Sequence, residues 1–176
     1  HNKHVKVRGS KIHFEFRGKS GVEHEIDLED QRLAKIVRHC QELPEQELFE
    51  YIDAEGARHD ITSTDVNEYL RACTGEEFSA KDFRTWAGTL LAVHVLGNSQ
   101  AGETQTELKR QIKLALERVS AELGNTVAIC RKSYVHPAAI DQYSSGALRS
   151  AFARAERAAR KKPIRGLKAP EAVTVH

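Results

Sequence analysis

Val5-Lys6-Val7-Arg8-Gly9-Ser10-Lys11-Ile12-His13-Phe14-Glu15-Phe16-Arg17-Gly18-Lys19-Ser20-Gly21-Val22-Glu23-His24-Glu25-Ile26-Asp27-Leu28 opens the chain with three alternating runs. Val5 and Val7 alternate with Lys6 and Arg8; Ile12, Phe14 and Phe16 with His13, Glu15 and Arg17; Val22, His24, Ile26 and Leu28 with Glu23, Glu25 and Asp27. Successive strand side chains point to opposite faces, so this period of two places one apolar face on each of three strands. Gly9-Ser10 and Gly18-Lys19-Ser20-Gly21 supply the turns, and the segment reads as an antiparallel meander.

Beyond it the period changes. A helix is expected from about Glu29 to Gln41, with Leu33, Ile36 and Val37 on one face and Pro44 past its end. Leu48 to Ile52 is a short strand, and Ala57 to Ile61 either pairs with it or forms a loop. From Ser63 onward the pattern is helical. Ser63 and Thr64 are the possible caps of the first such helix, and Gly75 closes it. Ser79 and Asp82 suit a capping box for a long apolar helix ending near Gly97. The next helix carries Leu108, Ile112, Ala115, Leu116, Val119 and Leu123 and ends at Gly124. Asn125 can cap a short helix through Arg131 and Tyr134, and Pro137 and Gly146 punctuate two more. The fold class is α+β: a small N-terminal meander, then a mostly helical body. The expected partition is a β-rich portion with one helix over 1–62, a helical body over 63–160 and a basic tail over 161–176.

Composition narrows the classes. With 176 residues the chain suits one domain, or one domain with a small appendage; 40% are hydrophobic, enough for a core, and only 6% are aromatic, so that core is mostly aliphatic. No run approaches the ~18 apolar residues of a membrane span. Cys40, Cys73 and Cys130 are odd in number and far apart, which argues against a disulfide framework and for a reducing, intracellular setting. The nine His show no metal-ligand spacing, so no metal is expected. The chain has no Met and opens on His1-Asn2-Lys3-His4 directly before a strand pattern, so it is expected to be a piece of a longer protein.

Net charge is +2, too small to name a partner, but its distribution is uneven. Between Arg149 and Lys168 there are eight basic residues and one acid, Glu156, whereas Glu23 to Asp60 is acid-rich. This asymmetry fits a polyanion partner, and it equally fits a solvated helix face running into a loose tail. Gly18-Lys19-Ser20 looks like the end of a nucleotide-binding loop. That loop requires a glycine where His13 stands and a helix where a strand follows, so no ATP site is expected. No nucleophile elbow is present.

What remains is a scattered set of cations and one tyrosine. Lys19 sits in a hairpin turn, Arg84 lies early in a long apolar helix, and Asn125 precedes Arg131-Lys132-Ser133-Tyr134 by a short interval. Phe14 to Gly21, Lys81-Asp82-Phe83-Arg84-Thr85-Trp86-Ala87-Gly88-Thr89, and Asn125-Thr126-Val127-Ala128-Ile129-Cys130-Arg131-Lys132-Ser133-Tyr134-Val135-His136-Pro137 occur in that order. Together these stretches resemble type IB DNA topoisomerases, particularly the small bacterial and viral form, over nearly the whole chain. Taken singly, each residue has a plainer reading: a turn lysine, a surface arginine, a helix cap and a packing tyrosine.

The resemblance implies a role for each. Tyr134 attacks the scissile phosphorus and forms a 3′-phosphotyrosyl link. Arg84 holds the non-bridging oxygens, Asn125 donates a further hydrogen bond to them, and Lys19 protonates the departing 5′-oxygen. Relatives outside bacteria often carry His where Asn125 stands, so Asn points to the bacterial branch. Arg131, Lys132 and Lys81 are plausible DNA-phosphate contacts, and a solvated basic turn explains the first two as well. The physical logic agrees: fixed donors aimed at charge that develops in the transition state are usually the largest catalytic term. Arg suits that task because it stays protonated and presents a planar fork, and an alkoxide leaving group benefits from a proton donor. The resemblance further implies a second catalytic arginine upstream of the meander and an N-terminal DNA-clamping domain, both of which would lie before His1. This chain alone is therefore expected to be poorly active. Expected with it are duplex DNA as partner, no cofactor, no metal, no membrane, a monomeric state, and a cytoplasmic, nucleoid-associated location. A tyrosine recombinase shares the nucleophile and cations, but typically shows His-x-x-Arg where this chain has Lys81-x-x-Arg84 followed by Thr85-Trp86. A non-catalytic DNA-binding module that retains the fold is the other alternative.

Overall fold

The structure, a computed structural model, describes residues 2–18, 21–42, 48–99 and 104–175. Lys19, Ser20 and Pro44, each singled out in the sequence, lie outside the described residues, as does the loop around Gly102. The chain divides into two compact units, His1–Glu77 and Phe78–His176. The fold is α+β, with the sheet first and the helices after it.

In the first unit, strands β1 (Val5–Arg8), β2 (Lys11–Arg17) and β3 (Glu23–Glu29) form an antiparallel sheet in the order β1-β2-β3. Arg8 pairs with Lys11, so Gly9-Ser10 is a two-residue turn. Gly9 adopts φ 60°, a left-handed conformation that glycine takes without steric cost. Helix α1 (Gln31–Gln41) starts two residues later than expected because Asp30 caps it, its carboxylate accepting from the Arg32 and Leu33 amides at 2.8 and 2.9 Å. Such a cap is worth about 1 kcal/mol. The apolar face of the sheet closes on this helix: Val5, Ile12, Ala34, Val37 and Leu48 are buried together, with Val7, Phe14 and Cys40 packed against them. Ile36 and Leu33, expected on the same face as Val37, remain exposed. Strands β4 (Glu50–Ile52) and β5 (Arg58–Asp60) pair as a hairpin, which resolves the Ala57–Ile61 segment as strand. Helix α2 (Ser63–Thr74) corrects the expected caps. Thr62, rather than Ser63 or Thr64, forms a capping box with Asp65, and Gly75 ends the helix at φ 71°. In one dimension three neighbouring hydroxyl residues are equivalent; only the backbone turn chooses among them.

The second unit is helical. Helix α3 (Ala80–Gly97) starts where Asp82 accepts from the Ser79 amide at 2.9 Å and its hydroxyl at 2.6 Å. Helix α4 (Gln105–Leu123) has a Thr104–Glu107 capping box and ends at Gly124, φ 63°. Helices α5 (Val127–Ser133), α6 (Pro137–Ser144), α7 (Ala147–Lys161) and α8 (Ala169–Val175) follow. Their shared core includes Ala92, Leu96, Leu116, Val119, Cys130 and Phe152 and is mainly aliphatic, as the composition implies. The stretch 161–176, expected as a basic tail, holds α8, whose Ala172 and Val173 are buried. The cation-rich face of α7 is exposed, while Leu148, Phe152 and Ala155 turn inward.

Candidate active site

Four chain segments of the second unit converge: the first turns of α3, the C-terminal end of α4, the turn at Asn125, and the last residue of α5 onward. Arg84 lies in the second turn of α3 and is half-buried. Its guanidinium Nη2 donates to the Leu123 carbonyl at 2.8 Å. That carbonyl is the last of α4 and has no partner within its own helix, and a cation at a helix C-terminus is favoured by the helix dipole. The Asn125 side-chain amide Nδ2 donates to the same oxygen at 2.9 Å. Arg84 and Asn125 therefore present their donors to a single acceptor, and the two nitrogens are no farther apart than those two distances together.

Tyr134 completes the group. It follows α5 as its C-terminal cap, with its amide donating to the Cys130 carbonyl at 2.9 Å. The Arg84 Cζ lies 4.9 Å from the centroid of the Tyr134 ring, within the range of a cation–π contact. Tyr134 is half-buried and packs against the helical core.

Asn125 is not the cap of α5. That place belongs to Thr126, whose Oγ1 accepts from the Ile129 amide at 3.3 Å. The correction follows from Gly124: its left-handed turn ends α4, Asn125 continues the turn, and the chain re-enters helix only at Val127. Because Thr126 does the capping, the Asn125 side chain is released to point at Leu123. Ser120 steadies this turn, its carbonyl accepting from the Asn125 amide at 3.2 Å and its hydroxyl donating to the Asn125 carbonyl.

The other expected residues are placed more loosely. Lys81 is exposed in the first turn of α3, and its carbonyl accepts from the Thr85 hydroxyl at 3.0 Å. Arg131 and Lys132 are exposed in the last turn of α5. Arg131 lines a cleft beside Lys109 and Lys113 of α4 and Asp141 of α6. Burial pushes the Cys130 thiol pKa up, the nearby Arg84 charge offsetting part of that, so this thiol is a packing group and a poor nucleophile. Sequence reasoning missed Leu123, Ser120, Gly88 and Thr89, whose parts here are played by backbone atoms or by small side chains. It also missed a group on the meander: His13, Glu25 and Asp27 bring ligand atoms within 4.8 Å of one another, His13 bonding Asp27 at 2.8 Å. They come from adjacent strands, so no spacing along the chain marks them. Both carboxylates are exposed.

Two donors converging on one oxygen, one of them over the ring of a tyrosine, form an arrangement suited to an anionic tetrahedral or trigonal-bipyramidal centre, such as phosphorus under attack. Residues 1–161 match the family described as eukaryotic DNA topoisomerase I, catalytic core. The chain belongs to that family of type IB topoisomerase catalytic domains. It is 27% identical over 150 residues to DNA topoisomerase 1B of Acanthamoeba polyphaga mimivirus, an alignment covering 81% of this chain and 45% of the viral protein. The chain thus spans about half the length of that relative. Among the described residues, no helix is long and apolar enough to cross a membrane.

Proposed function

We propose that this chain is the catalytic part of an enzyme that relaxes supercoiled duplex DNA by transient cleavage of one strand. The Tyr134 oxygen bonds to the scissile phosphorus as the bond from phosphorus to the 5′-oxygen breaks. The phenolic proton passes to solvent water, the departing 5′-oxygen takes a proton from Lys19, and the strand is held as a 3′-phosphotyrosine. Arg84 and Asn125 stabilise the charge on the non-bridging oxygens, and Lys81, Arg131 and Lys132 contact the DNA backbone. The free end rotates, and the 5′-hydroxyl then reverses the exchange. One ester replaces another, so the scheme calls for neither ATP nor a metal. The protein acts as a monomer in the cytoplasm, on the nucleoid.

The observation that carries this reading is the convergence of Arg84 and Asn125 on one oxygen, with the Arg84 guanidinium over the Tyr134 ring. The family match favours it over a tyrosine recombinase. The test is adduct formation on suicide-type duplex DNA by the full-length protein, without magnesium or ATP. Tyr134→Phe should abolish the adduct and leave noncovalent binding nearly unchanged, since phosphate contacts rest on cations. An adduct mapped by mass to any other residue, or none at all, refutes the assignment. The chain by itself should bind DNA weakly and cleave poorly, because a transition-state donor upstream is expected to be missing and one such donor is worth about 10²–10³ in rate.

A further inference from the structure

Helix α3 carries more of the site than Arg84. Gly88 and Thr89, three and four residues on from Thr85 and so its neighbours on the helix surface, meet with it the backbone of the segment that bears Tyr134. The Thr89 Oγ1 accepts from the His136 amide at 3.0 Å. His136 precedes α6 as its N-cap, so its amide has no partner inside that helix. The Thr85 hydroxyl reaches the Ser133 carbonyl at 3.3 Å, sharing its proton with the Lys81 carbonyl. Gly88, buried between them, has no room for a side chain: a Cβ would run into the Tyr134 carbonyl oxygen and come within 3.2 Å of Leu123 Cδ1. Residues 133, 134 and 136 are therefore held against α3 by backbone contacts. Arg84 lies one turn earlier on that same helix, so its distance from Tyr134 is set by a single rigid element.

Resting on the reading of Tyr134 as nucleophile, we propose that Thr89 and Gly88 are positioning residues that set the phenol relative to Arg84. Gly88 permits the close approach, and Thr89 fixes the chain just past the tyrosine. Thr85 adds a weaker hold on the other side. None of the three touches the reacting atoms; they act through the Tyr134 backbone. A small misplacement of a nucleophile is costly: a shift of about 1 Å can lower the rate about 10²-fold.

The test uses the full-length protein carrying Thr89→Val, which keeps the shape and removes the acceptor, and Thr89→Ser, which keeps the acceptor. Three quantities are read: the single-turnover cleavage rate at saturating suicide-type DNA, the DNA Kd, and exchange of the His136 amide. Thr89→Val should slow cleavage on the order of 10- to 10²-fold, leave Kd unchanged and speed exchange at His136. Thr89→Ser should restore both rate and protection. Gly88→Ala should slow cleavage further; should it not fold, the Thr89 pair decides. If the unsubstituted protein forms its Tyr134 adduct and Thr89→Val cleaves equally fast, the positioning role is wrong while the nucleophile stands. The role is also wrong if Val and Ser variants slow alike, or if Kd weakens in step with rate. If the unsubstituted protein forms no Tyr134 adduct, the parent reading fails and the positioning role falls with it.

Discussion

The Arg84 guanidinium stacks over the Tyr134 ring, Cζ 4.9 Å from the centroid, while its Nη2 holds the last carbonyl of α4. One side chain thus ties together the helix it belongs to, the end of the next helix and the proposed nucleophile. This conformation serves the bland role of such an arginine, closing a helix terminus, and the catalytic role is the one proposed for it.

The two roles separate by magnitude. Arg84→Ala should cost about 0.5–1.5 kcal/mol of stability through the lost hydrogen bond, and about 10²–10³ in cleavage rate. Arg84→Lys keeps the charge and loses the fork, so it should recover DNA affinity more than rate. Urea unfolding and single-turnover cleavage on the same preparations check this. A loss of stability with undiminished cleavage would leave Arg84 as a structural residue only.

Asn125 and Thr126 make opposite predictions although they are neighbours. Thr126 caps α5, so Thr126→Ala should lower stability by about 0.5–2 kcal/mol and spare cleavage. Asn125 does not cap, so Asn125→Ala should cost about 10²-fold in cleavage with little change in melting temperature. Should the pattern come out reversed, Asn125 donates to Leu123 for structural reasons alone.

For Lys19 the prediction rests on the leaving group. Lys19→Ala should slow cleavage of ordinary DNA by roughly 10²-fold or more. A 5′-bridging sulfur departs without needing a proton, so that substrate should regain most of the lost rate. An equal defect on oxygen and sulfur substrates rules Lys19 out as the acid.

Acid should loosen the start of α3 before the core yields. Hydrogen bonds from the Ser79 hydroxyl, and then from its amide, hold the Asp82 carboxyl below the ordinary aspartate value. A carboxyl whose pKa is lower folded than unfolded stabilises the folded state above the unfolded value. That contribution is lost as pH falls from about 4 through the depressed folded value. Melting curves taken across this window should show Asp82→Asn with a flatter pH dependence than the parent. An identical slope would show that the capping carboxylate does not stabilise the helix.

Much of this was legible in one dimension, and particular residues show why. The meander from Val5 to Leu28 and the amphipathic α4 are written in side-chain periods, because a strand or a helix repeats its faces over a few residues. Gly75 and Gly124 announced helix ends because few other residues accept a left-handed turn. Caps were off by one residue at Thr62 and Thr126, since adjacent Thr, Ser and Asn offer the same chemistry until the backbone turns. That single step matters at Asn125, where being next to the cap rather than being the cap frees the amide. Lys81, Arg84, Asn125 and Tyr134 could be named from motif resemblance, but not their geometry.

By itself the sequence determined most of the elements and their order, though not α8 or the choice of strand at β5, together with the aliphatic helical core and the family, for these depend on contacts between near neighbours and on residue types in series. Only the tertiary structure decided that Arg84 and Asn125 share the carbonyl of Leu123, that Gly88 leaves no space between α3 and Tyr134, and that Thr89 receives the His136 amide. Those contacts join residues 39 to 47 positions apart in three of the four cases. They use backbone atoms and the absence of a side chain, neither of which leaves a mark in a string of residue names, and they arise only when helices pack.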